Sequence, residues 1–242
     1  MSAQGIGKSD IGMVRSTNQD SYLVDNASGV YIVADGMGGH AGGEVASQMC
    51  IHEFESKLQK EPPRFKTDTE YHIYLERTLN KACTKIYEMS LENPDLKGMG
   101  TTASCVIIRD KHLHCGHVGD SRIYLIRAGF IYQLSVDHSL VSEQLKAGLI
   151  TEEMATNHQL KNVITRSIGY QEEEFVDTFS QKLERGDIVL LCSDGLHGKV
   201  TDQEIADVCI VDFSNSPERL IKLANERGGE DNISVVAIQI LD

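Results

Sequence analysis

Four aspartates in this chain share one setting. Asp35 follows the apolar run "VYIVA" and precedes Gly36, and Asp194 follows "IVLLCS" and precedes Gly195. Asp120 sits in the turn of "HVGDSR", and Asp231 stands just before "NISVVAIQI". In a sheet domain strand ends gather at one rim, so carboxylates far apart in sequence become neighbours there. Converged carboxylates repel, and one takes up a proton unless cations neutralise the group. All-oxygen donors of this kind select hard ions such as Mg2+ or Mn2+. One Asp-Gly alone is more simply a turn, because Asp bonds its local backbone and Gly adopts conformations other residues avoid. Four aspartates in matching places, two in the same strand-Asp-Gly pattern, point instead to a metal cluster. The loop after Asp35, "GMGGHAGG", has five glycines in eight residues. Such a loop leaves the Gly36 carbonyl open as a further oxygen ligand.

The elements that must position these residues are legible in part. Val30, Ile32, Val33 and Ala34 read as a buried strand bounded by Gly29 and Gly36. Ala46, Cys50, Ile51, Phe54 and Leu58 recur at helical spacing from Gly43 to about Leu58. A second helix, from about Thr69, carries Leu75, Leu79, Ala82, Ile86 and Met89 and must stop before Pro94. The stretch "TASCVIIRDKHLHCGHVGDSRIYLIRAGFIYQLS" reads as four short strands turning near Asp110-Lys111, Gly119-Asp120 and Ala128-Gly129. "DIVLLCS" and "ISVVAIQIL" are two more. Thr201 with Glu204 predicts a capping box, and Ser216-Pro217 predicts an N-cap with proline at the first helical position. Gly228 closes that last helix. Helices segregated from runs of strands predict an α+β layered domain rather than a parallel βαβ sheet. Between Asp137 and Gly169 the pattern weakens to two short polar helices, a binding flap or a surface insertion.

Thirty-six acidic against 23 basic residues give a net charge of −13, which argues against a nucleic-acid surface and favours cations. The six cysteines show no paired spacing, so no disulfide framework is expected, in keeping with a reducing compartment. No apolar run is long enough to span a bilayer, and "MSAQGIGKSD" has no signal-peptide core. A cytoplasmic protein of one domain over residues 1–242, acting as a monomer without membrane partners, is the expectation.

The ordered set "VRSTNQD", "VADGMGGHAGGE", "GTT", "HVGDSR", "DHSL", "TRSIG", "LCSDGL" and "EDNISVV" resembles the bacterial branch of the metal-dependent protein phosphatases, the type 2C serine/threonine phosphatases. The likeness runs from about Asp10 to Ile238. It implies a four-layer α-β-β-α sandwich, two antiparallel sheets flanked by helix pairs, with a small helical flap at about 141–161. It implies hydrolysis of phosphoserine and phosphothreonine by a metal-activated water. Two Mg2+ or Mn2+ ions, with a third in bacterial members, are the implied cofactors. By matching motif, Asp35, Asp194 and Asp231 hold the first ion, and Asp35 with the Gly36 carbonyl holds the second. Asp120 with Asp194 holds the third, Asp20 acts through a water, and Arg15 grips the substrate phosphate. Phosphoprotein substrates, including a cognate serine/threonine kinase and its targets, are the implied partners. Where eukaryotic members place a histidine directly after Asp-Gly, this chain has Met37. His40, three residues on, is then the candidate general acid, against a role in loop packing; His158 in the flap is a weaker one.

Two other classes remain. A calcium module built on "DGMGG"-like loops would repeat, and this chain does not. A zinc site in "HLHCGH" is awkward, because strand alternation points His114 away from Cys115 and His117.

Overall fold

The computed structural model describes residues 2–39, 42–156, 158–160 and 162–241. Among these, one antiparallel sheet runs in the order β1 (Ala3–Asp10), β11 (Ile233–Ile240), β10 (Ile188–Cys192), β7 (Arg122–Arg127) and β8 (Phe130–Gln133). The other runs β2 (Asp20–Asp25), β3 (Val30–Met37), β5 (Ala103–Arg109), β6 (His112–Val118) and β9 (Asp177–Lys182). The short β4 (Gly100–Thr101) pairs with the end of β3. Helices α1 (Gly42–Lys60) and α2 (Asp68–Glu92) cover the second sheet, and α6 (Asp202–Val211) and α7 (Ser216–Glu226) cover the first. Between β10 and α6 lies the single turn α5 (Asp194–His197), and α3 (Leu140–Lys146) with α4 (Glu152–Thr156) forms the flap.

Strand alternation divides the core into three apolar layers. Val30, Ile32 and Ala34 of β3 face α1 and α2, whereas Tyr31 and Val33 face the other sheet. Ile188, Leu190 and Cys192 of β10 face α6 and α7, whereas Val189 and Leu191 point between the sheets. With both faces covered, these strands need apolar side chains in every position, which is why they read as unbroken runs. The result is the expected four-layer sandwich.

Several details differ from the sequence reading. β3 does not end at Asp35 but continues to Met37, because β4 supplies a partner for Gly36 and Met37. The turn at Gly119-Asp120 is not a hairpin: β6 and β7 lie in different sheets, so the chain crosses from one sheet to the other there. Ser216 is the first residue of α7 rather than its cap. Its hydroxyl donates to the Phe213 carbonyl at 2.8 Å, and Asn215 occupies the N-cap position after a 3-10 turn. β1, β2 and β9 carry too few apolar residues to be read as strands; each is an edge strand, half exposed by position. The capping box at Thr201 and Glu204 is present, and a second, at Thr67 and Glu70, starts α2. All six cysteines are buried free thiols. No helix among the described residues is long and apolar enough to cross a membrane.

Candidate metal centre

Five carboxylates meet at one end of the sandwich, contributed by both sheets. Asp20 opens β2 and lies directly opposite Asp35 of β3 in the strand register. Like charges opposite each other across a strand pair are destabilising. Asp194 follows β10 at the start of α5, Asp231 precedes β11, and Asp120 lies on the crossing between the sheets. Arg15, half exposed, reaches this end from the loop between β1 and β2, and its Nη2 donates to Asp231 Oδ2 at 2.7 Å.

The electrostatics follow from burial and proximity. Burial, then the charges of Asp20, Asp194, Asp120 and Asp231, push the Asp35 carboxyl well above its ordinary range. Burial raises Asp20 to about 7, against the Ser193 hydroxyl, which donates to its Oδ2 at 2.7 Å. Asp120 is raised to about 7 by burial and by Asp194, and Asp194 to about 6 by burial and by Asp231. The other oxygen of Asp20, Oδ1, is buried without a hydrogen-bond partner among the described residues.

As placed, no three His, Cys, Asp or Glu side chains among the described residues form a group that could hold a metal ion. The donor set nonetheless fits hard divalent cations. It is all oxygen, it repels itself, and one of its buried oxygens lacks a partner; a cation relieves the repulsion as a shared proton would. His40 lies outside the described residues. His158 Nδ1 accepts the Leu160 N–H at 3.1 Å within the flap.

The family model for protein phosphatase 2C matches residues 9–233. The chain belongs to the protein phosphatase 2C family. It is 38% identical over 238 residues to the serine/threonine phosphatase stp of Listeria monocytogenes, covering 96% of this chain and 94% of that one. Its fold superposes on the crystal structure of the Mycobacterium tuberculosis serine/threonine phosphatase PstP/Ppp with a TM-score of 0.92, at 33% identity and full coverage of both chains. A structure of the PstP catalytic domain in complex with two manganese ions is also similar, with a TM-score of 0.88, 34% identity and 99% coverage of each chain. The motif resemblance and the α+β sandwich expected from it are therefore met, and the two manganese ions of the PstP structure accord with the kind of ion expected.

What braces the cluster in this 2C phosphatase is mostly uncharged. Thr102 grips the backbone of Asp35 on both sides: its Oγ1 accepts the Asp35 N–H at 2.9 Å and its N–H donates to the Asp35 carbonyl at 2.8 Å. Asn232 staples the Arg15 loop to β11. Its Nδ2 donates to the carbonyls of Ile11 and Thr17 at 2.9 and 3.0 Å, and its Oδ1 accepts the Gln19 N–H at 2.8 Å. Sequence reasoning passed over both, since Thr and Asn at strand ends look like ordinary turn residues; their places inside "GTT" and "EDN" were the available signal.

The glycines that follow the aspartates have a cause in the fold itself. A Cβ on Gly36 would run into the carbonyls of Gly43 and Gln19, and one on Gly195 into the carbonyl of Asn232. Gly36 and Gly43 are thus required by backbone packing against backbone, whatever else the Gly36 carbonyl does.

In "HLHCGH" the side chains diverge as alternation predicted. His114 stacks on Tyr71 and shares Ser180 with His72, Cys115 is buried between the sheets, and His117 bonds Ser104 and the Val136 carbonyl.

A cleft of about 620 Å³ opens beside the cluster, with Asp120 and Asp194 on one side and Val141 and Leu145 of α3 on the other. The flap base closes through a bridge between Ser139 and Ile164, slightly wider than 141–161.

Proposed function

We propose that residues 1–242 act as one catalytic domain that hydrolyses phosphoserine and phosphothreonine in proteins, with the carboxylate cluster as its metal centre. Asp35, Asp194 and Asp231, the Gly36 carbonyl and Asp120 are the direct ligands, and Asp20 acts from behind them. When bound there, Mg2+ or Mn2+ supplies an acidified water and offsets charge on the phosphoryl oxygens. The observation that carries the reading is the convergence of five carboxylates from both sheets, with Arg15 beside Asp231.

Arg15 is the phosphate clamp in this reading. A protein of net charge −13 repels a dianionic phosphate, so attraction has to be local. The other arginine near the cleft, Arg122, is committed: its Nε and Nη2 grip Asp137 at 3.0 and 2.7 Å, and its Nη1 donates to the Tyr124 hydroxyl at 3.1 Å. The contact of Arg15 with Asp231 is exposed, and the arginine's planar fork suits two parallel bonds to phosphate. His40 is the candidate for protonating the leaving seryl or threonyl oxygen. The flap at about 141–161 borders the substrate path. Cytoplasmic action on a cognate serine/threonine kinase and its targets, by a monomer, completes the reading.

Release of phosphate from a phosphothreonine peptide, measured with Mn2+, Mg2+, Ca2+ or chelator, tests it. Hydrolysis should depend on Mn2+ or Mg2+ and stop with chelator; metal binding without phosphate release would overturn the enzymatic reading. Arg15→Ala should raise KM for the peptide more than it lowers kcat, since a phosphate clamp acts in ground and transition states alike. Exposed ion pairs contribute about 0–1 kcal/mol, so the variant should keep its fold. An unchanged KM with a collapsed kcat would remove Arg15 from substrate binding.

A further inference from the structure

Gly119, the residue before Asp120, has both of its backbone polar groups held by one side chain and its own main chain. Its N–H donates to His138 Nδ1 at 3.0 Å, and its carbonyl accepts the His138 N–H at 2.8 Å. Gly119 adopts a φ of +108°, and a Cβ there would run into Thr102, the residue that grips Asp35. On the far side, the Asp120 carbonyl accepts a bond from His197 Nε2 at 3.0 Å.

The contacts of His138 fix its tautomer. Nδ1 accepts an amide proton, so the proton of the neutral ring sits on Nε2, where Asp177 Oδ2 takes it at 3.1 Å. Arg166 Nη1 donates to the other oxygen of Asp177 at 3.0 Å. The approach of Arg166 to Nε2, at 3.3 Å, sets donor against donor and adds no bond. Burial holds the His138 imidazole below its ordinary range, which keeps the ring neutral. The same residue closes the flap: its carbonyl accepts the Thr165 N–H at 2.9 Å, and its neighbour Ser139 bridges Ile164.

We propose that His138, its tautomer set by Asp177 and Arg166, is a positioning residue that holds Asp120 in register with the other carboxylates and ties that register to the base of the flap. The inference rests on the ligand role given to Asp120 above. A histidine that only filled space would affect melting and nothing else. A positioning histidine acts through one acceptor atom, Nδ1, and that atom can be switched without touching the ring.

Asp177→Asn is the switch. Arg166 draws the amide oxygen to itself, which turns the amide NH2 toward Nε2 and drives the ring proton to Nδ1, against the Gly119 N–H. The analogous change in a catalytic triad leaves geometry intact and fails through the wrong tautomer. Nitrogen-15 NMR of the imidazole should show Nε2–H in the parent and a shift toward Nδ1–H in Asp177→Asn. In Mn2+ titrations by calorimetry, the weakest site should lose about 10- to 100-fold in affinity while the tighter sites hold, and kcat should fall by a similar factor, as for other partners that orient metal ligands. His138→Leu should behave likewise, and His138→Asn, whose Oδ1 can accept the Gly119 N–H, should recover most of the loss. Adding His138→Leu to Asp120→Asn should cost no further activity. If Asp120→Asn cripples the enzyme but Asp177→Asn and His138→Leu keep parental Mn2+ affinity and kcat, the positioning role is wrong. If Asp120→Asn itself changes neither, the ligand role of Asp120 is wrong and the inference falls with it. Should His138→Leu not fold, Asp177→Asn decides alone.

Discussion

Asp194→Asn is expected to lower turnover of a phosphothreonine peptide at saturating Mn2+ by at least about a hundredfold. Asp194 is the shared neighbour of the cluster: its charge raises Asp20, Asp35 and Asp120, and Asp231 raises it in turn. Replacing it removes an anionic ligand and also removes repulsion, so two readouts should move in opposite directions. Without divalent ions the variant should melt at or above the parent, because a buried like-charge contact is gone. With Mn2+ its gain in melting temperature should be smaller. An ion that binds only the folded state stabilises it by about 2.7 kcal/mol at a hundred times its Kd, and weaker binding cuts that gain. Parental turnover together with a full Mn2+-induced rise in melting temperature would show that Asp194 is not a ligand.

Gly36→Ala should be costly for a reason unrelated to chemistry. The new Cβ would meet the backbone carbonyls of Gly43 and Gln19, and neither can swing aside as a flexible side chain would. Gly43 is pressed from the other direction, since a Cβ on it would meet Gly36. The loss should be upward of ~3 kcal/mol, in the range of backbone clashes that force strands apart. For a chain of this size that is about 6–12 °C in melting temperature. Gly39→Ala is the control, because a Cβ there meets nothing within 4 Å among the described residues; it should melt within a degree or two of the parent. Equal melting of the two variants would mean that the loop yields where the packing says it cannot.

The parts of this molecule that were legible in the sequence are those where one face or both faces of an element are apolar. α1 and α2 announced themselves by helical spacing, and β3, β5, β10 and β11 by unbroken apolar runs. β1, β2 and β9 were not legible, because an edge strand half exposed to water has no need of such a run. The sheet crossing at Gly119-Asp120 looked like a hairpin, since local sequence records a turn but not which sheet the next strand joins. Of the site, charge made Asp35, Asp120, Asp194 and Asp231 visible by their place at strand ends. The stripped loop after Asp35 pointed to the Gly36 carbonyl, whereas Asp20, Arg15 and His40 came only through the motif resemblance. Thr102, Asn232 and His138 were hidden as roles, because what they do depends on partners tens to hundreds of residues away.

The division of the carboxylates between the sheets has a mechanical side. Asp20 and Asp35 belong to one sheet, Asp194 and Asp231 border the other, and Asp120 lies on the strap between them. An ion gripping residues from both would act as a clasp across the mouth of the sandwich, a reversible counterpart of a cross-link. Closed, it would pin the two jaws together at that end. Open, it would leave crowded carboxyls that share protons or push that mouth apart, while the apolar layer behind it keeps the hinge shut.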